Sequence, residues 1–493
     1  MNALVSICPE ENVAIVRLAG RGGWASLSLT RGKRDHIRMT AETISQPHVP
    51  AMPPRPARPL STWQILKTRG TNSLALCDEA LFEELFAERR LLWHRVFVVS
   101  DPDGIRRVMI DNLENYRRHA LMRRPVAPGL GTGTLINDGA LWRRHRRLIN
   151  PTLNYRATLP DFPMLVELTQ LLAEQLAAVP RGQPINIGHL LAPLITVSLG
   201  HVFAGANPDI QPMLARIAKF PGRRRVTDFL PIPEWLRPRA HEIRAEARSW
   251  YPLLDRLIAE RRRPDYAGGQ DLLWRLAHAR GPDGDSLTDA ELRDEALTVA
   301  LGGIETTLRP MCWVWYLLAL HPWAEGRLHA ELDAVLGGRA PQIEELARLL
   351  YLRKVVDETM RLYPPVPVML RTNAEADVLC GRAIPRGSTV VVAPWIIHRH
   401  RRLWHDPDNF DPERFAPEAI AARSRYAFLP FAVGPRACVA APLAMMQLHV
   451  AVAILAQRFR FRLVPGHTVE PAGWTTLRPN HGVRVTVEPR TVG

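Results

Sequence analysis

Residues 287–322 read LTDAELRDEALTVALGGIETTLRPMCWVWYLLALHP, and no other segment limits the fold as strongly. Thr288 and Glu291 stand at capping-box spacing, which predicts a helix start there. The second half of the segment is apolar on nearly every face, so the helix is stable only when other elements surround it. This predicts a long, buried central helix. Two features interrupt it. Gly302 and Gly303 each weaken a helix by roughly 1 kcal/mol, so their presence in its middle calls for a reason. Pro310 cannot bond to the carbonyl four residues back, that of Thr306, and predicts a kink with that carbonyl left free.

The pattern from about 140 to 365 is mostly helical. Short strands are expected at 95–101, 376–380, 388–393 and 483–488, the second and third joined by GRAIPRG. A helix follows a cap at Ser100 or Asp101. A length of 493 residues suggests about three domains as a soft prior. With no repeat and no internal linker, residues 60–493 read instead as a single domain. Residues 1–45 show little periodicity and are expected to be a poorly ordered leader. Residues 46–59 are proline-rich and should be an extended lead-in.

Charge and cysteines narrow the function classes. The 64 basic and 49 acidic residues give a net charge of +15, but the arginines are spread along the chain rather than gathered in a tail. Without aromatic interleaving or a nucleic-acid-binding motif, nucleic acid ranks last as a partner. Cys8, Cys77, Cys312, Cys380 and Cys438 are scattered and form no CxxC pair, which argues against a zinc site or a disulfide framework. No apolar run of transmembrane length and no signal-peptide pattern is apparent, so no transmembrane anchor and a cytoplasmic location are expected.

Residues 431–442 read FAVGPRACVAAP. A lone buried cysteine is usually an inert small hydrophobe, but a thiolate also binds iron, and one cysteine can hold haem. In Phe431-x-x-Gly434-x-Arg436-x-Cys438, Gly434 permits a tight turn and Arg436 can neutralise a carboxylate. A helix starting after Cys438 would point its positive end at the sulfur. The segment resembles the haem-binding loop of the cytochrome P450 family, with Ala440 where the family pattern ends in glycine.

Other segments match that family in order and spacing, and the resemblance covers about residues 53–487. ETMR and FDPERF resemble its K helix and meander, which implies a structural ionic triad of Glu358, Arg361 and Arg414. GGIETT resembles the family's oxygen-side helix motif: a groove at Gly302 gives dioxygen room, and Glu305 and Thr306 are the implied catalytic acid–alcohol pair. Read without the resemblance, the same residues are a glycine-tolerant bend with a solvated glutamate. Trp142 and Arg146 fit the family's Trp-x-x-x-Arg and, with Arg371, are implied to serve the haem propionates. His398 is expected to be structural. Val366, Val368 and Leu477 are implied to border the substrate pocket, which would draw on residues 122–135, 212–236, 299–303, 366–370 and 474–477. Residues 219–231, KFPGRRRVTDFLP, read as a mobile loop or as a cation at the pocket mouth. GLGTGT, residues 129–134, lacks phosphate-loop spacing.

The resemblance implies a mainly α fold with a minor β lobe, a triangular helical prism around a buried haem b. It implies a monooxygenase that inserts one oxygen atom from O2 into a small lipophilic substrate. Electrons would come indirectly from NAD(P)H through a ferredoxin or flavodoxin-type donor and its reductase, docking near Arg143, Arg144 and Arg147. A peroxide-using relative would not need Glu305 and Thr306, and an isomerising or dehydrating relative often lacks them. A haem-based gas sensor usually carries a separable output module, and none is apparent.

Overall fold

The computed structural model describes residues 49–61, 64, 72–91, 94–219, 232–473 and 475–490, with the strand backbones of residues 3–42. The chain divides into two units, Met1–Pro50 and Ala51–Gly493. In the first, the strands Ala3–Cys8, Val13–Gly20, Gly23–Thr30 and Arg38–Glu42 pair in chain order as an antiparallel meander. The sequence reading assigned no elements there. In the second, the opening residues 51–61 form neither helix nor strand.

The second unit is organised around the long helix, Asp289–Leu320. Thr288 and Glu291 form the expected capping box, each side chain bonding to the other's backbone N–H. The helix runs unbroken through Gly302, Gly303 and Pro310. Its apolar half is sealed by aromatic packing, with Trp313 stacked on Tyr363 at 3.9 Å between ring centroids. Helices Ile187–Ala204, Leu350–Leu362 and Ala441–Arg458 pack against it and bury its remaining faces.

Ile187–Ala204 was not singled out by the sequence. Among the described residues it is the helix long and apolar enough to cross a membrane by length and composition. Its uncharged run is interrupted by His189, Pro193, Ser198 and His201, which hid it from a search for uniform apolarity. It lies against the long helix and contributes Leu191, Ile195, Leu199 and Phe203 to the main core.

A five-stranded sheet flanks the helices. Its order is Phe86–Leu91, His94–Val99, Thr389–Val392, Met369–Asn373, Tyr116–Arg118. His94–Val99 runs parallel to Thr389–Val392, and the other neighbours are antiparallel. GRAIPRG is more than a connection: Arg382–Ile384 is itself a strand and pairs with Asp377–Leu379, leaving Thr389–Val392 to join the larger sheet. Asp101 caps the helix Pro102–Arg106 by accepting the Gly104 N–H at 2.8 Å. Arg484–Pro489, near the expected C-terminal strand, pairs with Phe459–Leu463.

Candidate active site

The loop before the helix Ala441–Arg458 is shaped by backbone requirements. Gly434 has φ +76°, and a Cβ there would lie 2.6 Å from the Met109 carbonyl oxygen and 2.7 Å from Ile110 Cγ1. Both the conformation and the space demand glycine. Ala432 also sits in the left-handed region, at φ +60°. The turn closes as Cys438 N–H donates to the Phe431 carbonyl at 2.9 Å and Ala437 N–H to that of Gly434 at 3.0 Å. Ala440 has φ −93°, which any residue adopts, so the missing glycine of the motif is not required by the backbone.

Cys438 differs from the buried cysteines. Cys77 and Cys312 are packed in the apolar core, where burial pushes their thiols up to about 12 and about 11. Cys438 lies within the fold but has an open side-chain surface. Burial raises its pKa, while the backbone N–H groups of Ala440 and Ala441 and the charge of Arg146 oppose the rise. The start of the following helix thus favours a sulfur anion, as expected of a metal-binding thiolate.

Four arginines converge beside this loop. Arg146 donates to the Ala437 carbonyl, next to the cysteine. Arg436 donates to Asp138 at 2.6 Å, and its guanidinium carbon lies 4.0 Å from the Trp142 ring centroid. Arg371 and Arg118 are register partners on neighbouring strands, Met369–Asn373 and Tyr116–Arg118. Burial, then the charges of Arg371 and Arg436, pull Arg118 down to about 9. Burial, then Arg436, pulls Arg371 down to about 10. For Arg118 and Arg371 the balancing carboxylate is Asp138, and for Arg436 it is Asp138 with Glu114. The Nε atoms of all four arginines are buried without a hydrogen-bond partner. Unpaired buried donors and uncompensated positive charge are both unfavourable. This donor set fits a group that carries two carboxylates above an open thiol, and haem, with its two propionates, is such a group.

The sequence of the second unit matches the cytochrome P450 family profile over residues 53–487. The chain belongs to the cytochrome P450 family. It is 39% identical over 394 residues to the cyclooctat-9-en-7-ol 5-monooxygenase of Streptomyces melanosporofaciens, covering 78% of this chain and 83% of that protein. It is 32% identical over 413 residues to cyclooctatin synthase of the same organism, covering 82% of this chain and 88% of the relative. The crystal structure of the cytochrome P450DA haem domain shares the fold, with a TM-score of 0.72 at 23% identity, covering 83% and 90% of the two chains. The protein is thus a P450 monooxygenase with a haem–iron cofactor and O2 as co-substrate.

On the long helix of this P450, the Thr306 hydroxyl donates to the Gly302 carbonyl. A Cβ placed on Gly302 would meet nothing within 4 Å, whereas one on Gly303 would lie 3.2 Å from Leu199. Gly302 therefore borders open space, and Gly303 allows close helix packing. Glu305 is buried and doubly held, accepting from Arg309 at 2.8 Å and from the Thr476 hydroxyl at 2.7 Å. Arg309 did not figure in the sequence reading, although it stands one helical turn from Glu305, and Thr476 figured there only within the pocket stretch 474–477.

Glu358, Arg361 and Arg414 come together. Arg361 donates to Glu358 at 2.6 and 2.7 Å and to the carbonyls of His398, Pro407 and Asn409 at 2.8, 2.6 and 2.9 Å. Arg414 Nε lies 3.5 Å from Glu358. His398 is fully buried, and burial pushes it down to about 3, so it is neutral. Its Nδ1 pairs with the Arg361 carbonyl at 3.2 Å, and its Nε2 accepts the Leu429 N–H at 2.8 Å. That bridge links the triad to the segment leading into the cysteine loop.

Other expected positions behave differently. Val366 and Val368 are half-buried, but Leu477 is fully buried in the main core. Its strand, Leu477–Pro479, pairs with Pro471–Gly473. Residues 220–231, most of the basic stretch read as a mobile loop or as a cation at the pocket mouth, fall outside the described residues, as does Trp474. In GLGTGT, the backbone N–H groups of Thr132 and Thr134 donate to Asp294 at 2.6 Å and Glu295 at 2.8 Å, so those donors serve carboxylates of the long helix. Arg143 and Arg147 are exposed. Arg144 is instead engaged by Glu291 at 2.7 Å and Asp285 at 3.1 Å.

Proposed function

We propose that this P450 oxygenates a small lipophilic molecule in the cytoplasm, using electrons from NAD(P)H relayed by a ferredoxin or flavodoxin-type protein. The observation that carries the proposal is the open Cys438 beside the four under-compensated arginines. Relatives named for cyclooctatin and cyclooctat-9-en-7-ol chemistry support a lipophilic substrate. Exposed Arg147, and exposed Arg143, which also pairs with Glu114, support docking of an acidic donor on the Gly139–Ile149 helix, whereas Arg144 is engaged by Glu291.

The bound haem supplies oxygen activation, one atom entering the substrate and the other leaving as water. The chain supplies position and protons. Cys438 holds the iron as a thiolate favoured by the N–H groups of Ala440 and Ala441. Arg118, Arg146, Arg371 and Arg436, with Trp142 under Arg436, hold the propionates. Phe431 and Gly434 fix the loop that presents the sulfur. Gly302 leaves room for dioxygen, and the Thr306 hydroxyl beside it holds a proton for delivery into that space. Once released from Arg309 and Thr476, Glu305 takes up a proton from solvent and passes it to Thr306, so those two contacts gate proton entry. Val366 and Val368 border the substrate. The Glu358–Arg361–Arg414 triad keeps the Leu350–Leu362 helix fixed to the meander. A peroxide-driven reaction is disfavoured because it would leave the Glu305–Thr306 pair without use.

The test is the spectrum of the reduced, carbon-monoxide-bound protein, read with partner-dependent product formation. Wild type should show a strongly red-shifted Soret band that Cys438→Ser abolishes, and product should require NAD(P)H and a redox protein. A histidine-type band in wild type would overturn the thiolate assignment.

A further inference from the structure

We infer that this P450 carries an anion-recognition site in a cleft beside the propionate-binding arginines, and that its lipophilic substrate presents a carboxylate or phosphate group there. The inference rests on the oxygenase reading and narrows its substrate class.

The cleft has a volume of about 580 Å³. Three separate stretches bring Arg117, Arg118, Arg123, Arg124, Arg237 and Arg386 to its wall, against the carboxylates Glu234 and Glu375. Glu234 is already shared between Arg237, at 3.7 Å, and Arg244, so it balances little of this charge. Arg118 belongs both to the cleft and to the propionate cluster, which places the cleft at the edge of the haem site. The propionates account for Arg118, Arg146, Arg371 and Arg436 and leave the other five cleft arginines without a ligand assignment.

Arg237 shows that the cleft is more than a solvated basic surface. It is 5% exposed, at the start of the helix Pro238–Ser249. Its Nη1 donates to the Arg124 carbonyl at 3.3 Å, and its Nε is buried with no partner. A guanidinium held in this way within a concave positive site suits a planar or tetrahedral oxyanion, which arginine binds through paired N–H donors. The apolar side chains at the wall, Ala120, Ala127 and Ala374, are small. The cleft therefore suits a charged head group and leaves the hydrocarbon to the haem cavity. An acidic protein surface is a poorer match, since a broad face does not reach a buried arginine.

Dodecanoate, dodecyl phosphate and dodecan-1-ol are suitable probes, with binding to the holoenzyme measured by equilibrium dialysis and by the change in haem absorption. The two anions should bind about tenfold or more tightly than the alcohol at low salt, and the advantage should shrink as salt rises. Arg124→Gln/Arg386→Gln should remove the advantage while leaving alcohol affinity unchanged. Arg386→Gln alone, at an exposed position, should reduce it without a folding cost. Equal binding of anions and alcohol in wild type, or an advantage that survives the double substitution, would overturn the inference. So would a double variant that loses ferredoxin affinity but keeps its anion preference, which would assign the cleft to a protein partner. Failure of the oxygenase reading would appear separately, as missing NAD(P)H-dependent product with anion binding intact.

Discussion

Replacing Arg361 with alanine tests how the buried triad supports the haem side of the fold. Arg361 and Glu358 are both fully buried. The substitution removes two bonds to Glu358 and three to the carbonyls of His398, Pro407 and Asn409. Breaking a buried ion pair by removing one partner costs about 3–5 kcal/mol, and each buried acceptor left unpaired adds about 1–3 kcal/mol before relaxation. Glu358 keeps two partners, the Asp411 N–H at 2.8 Å and Arg414 at 3.5 Å, which offsets part of the loss. The net expectation is about 4–8 kcal/mol, comparable to the whole stability of many domains. Arg361→Lys keeps the charge but loses the forked geometry, and should fall between alanine and wild type. Urea unfolding followed by tryptophan fluorescence gives the stability change, and haem absorbance per protein gives occupancy. Arg361→Ala should lose both. Stability within about 1 kcal/mol of wild type, with full haem occupancy, would show that the pair carries no structural weight and refute the reasoning.

Three further outcomes are expected. Gly434→Ala forces a Cβ to within 2.6 Å of the Met109 carbonyl oxygen at φ +76° and should abolish stable haem incorporation, whereas Ala440→Gly should leave occupancy near wild type; absorbance ratios of the purified proteins check both. Thr306→Val keeps the shape but removes the hydroxyl proposed to hold the proton, and should lower turnover by about 10²-fold with little change in substrate affinity, read from steady-state kinetics. His145 lies buried between Glu295 at 2.8 Å and Glu291 at 3.2 Å; burial lowers its pKa, but the two carboxylates outweigh this and the net shift is upward. Its contribution is therefore fully present below its unfolded pKa, about 6.5, and fades as pH rises through the raised folded value. His145→Gln should destabilise the protein more at pH 6 than at pH 9 in urea unfolding.

The sequence by itself determined the long buried helix, because capping residues and an all-round apolar half act through neighbours within a few turns. It also carried Cys438, Gly434 and Arg436, whose roles depend on a single short loop, and the Glu358–Arg361 pair, one turn apart on one helix. Tertiary structure decided what depends on distant segments meeting. Arg118 joins the arginine cluster beside the cysteine loop only because Tyr116–Arg118 pairs with Met369–Asn373, a register invisible in either stretch alone. Leu477 packs in the main core because its strand pairs with Pro471–Gly473. Arg144 left the exposed basic face because Glu291 and Asp285 reached it from another helix and loop. Local spacing encodes a helix or a tight turn, whereas a site's charge balance is set where groups hundreds of residues apart are buried together and must satisfy one another.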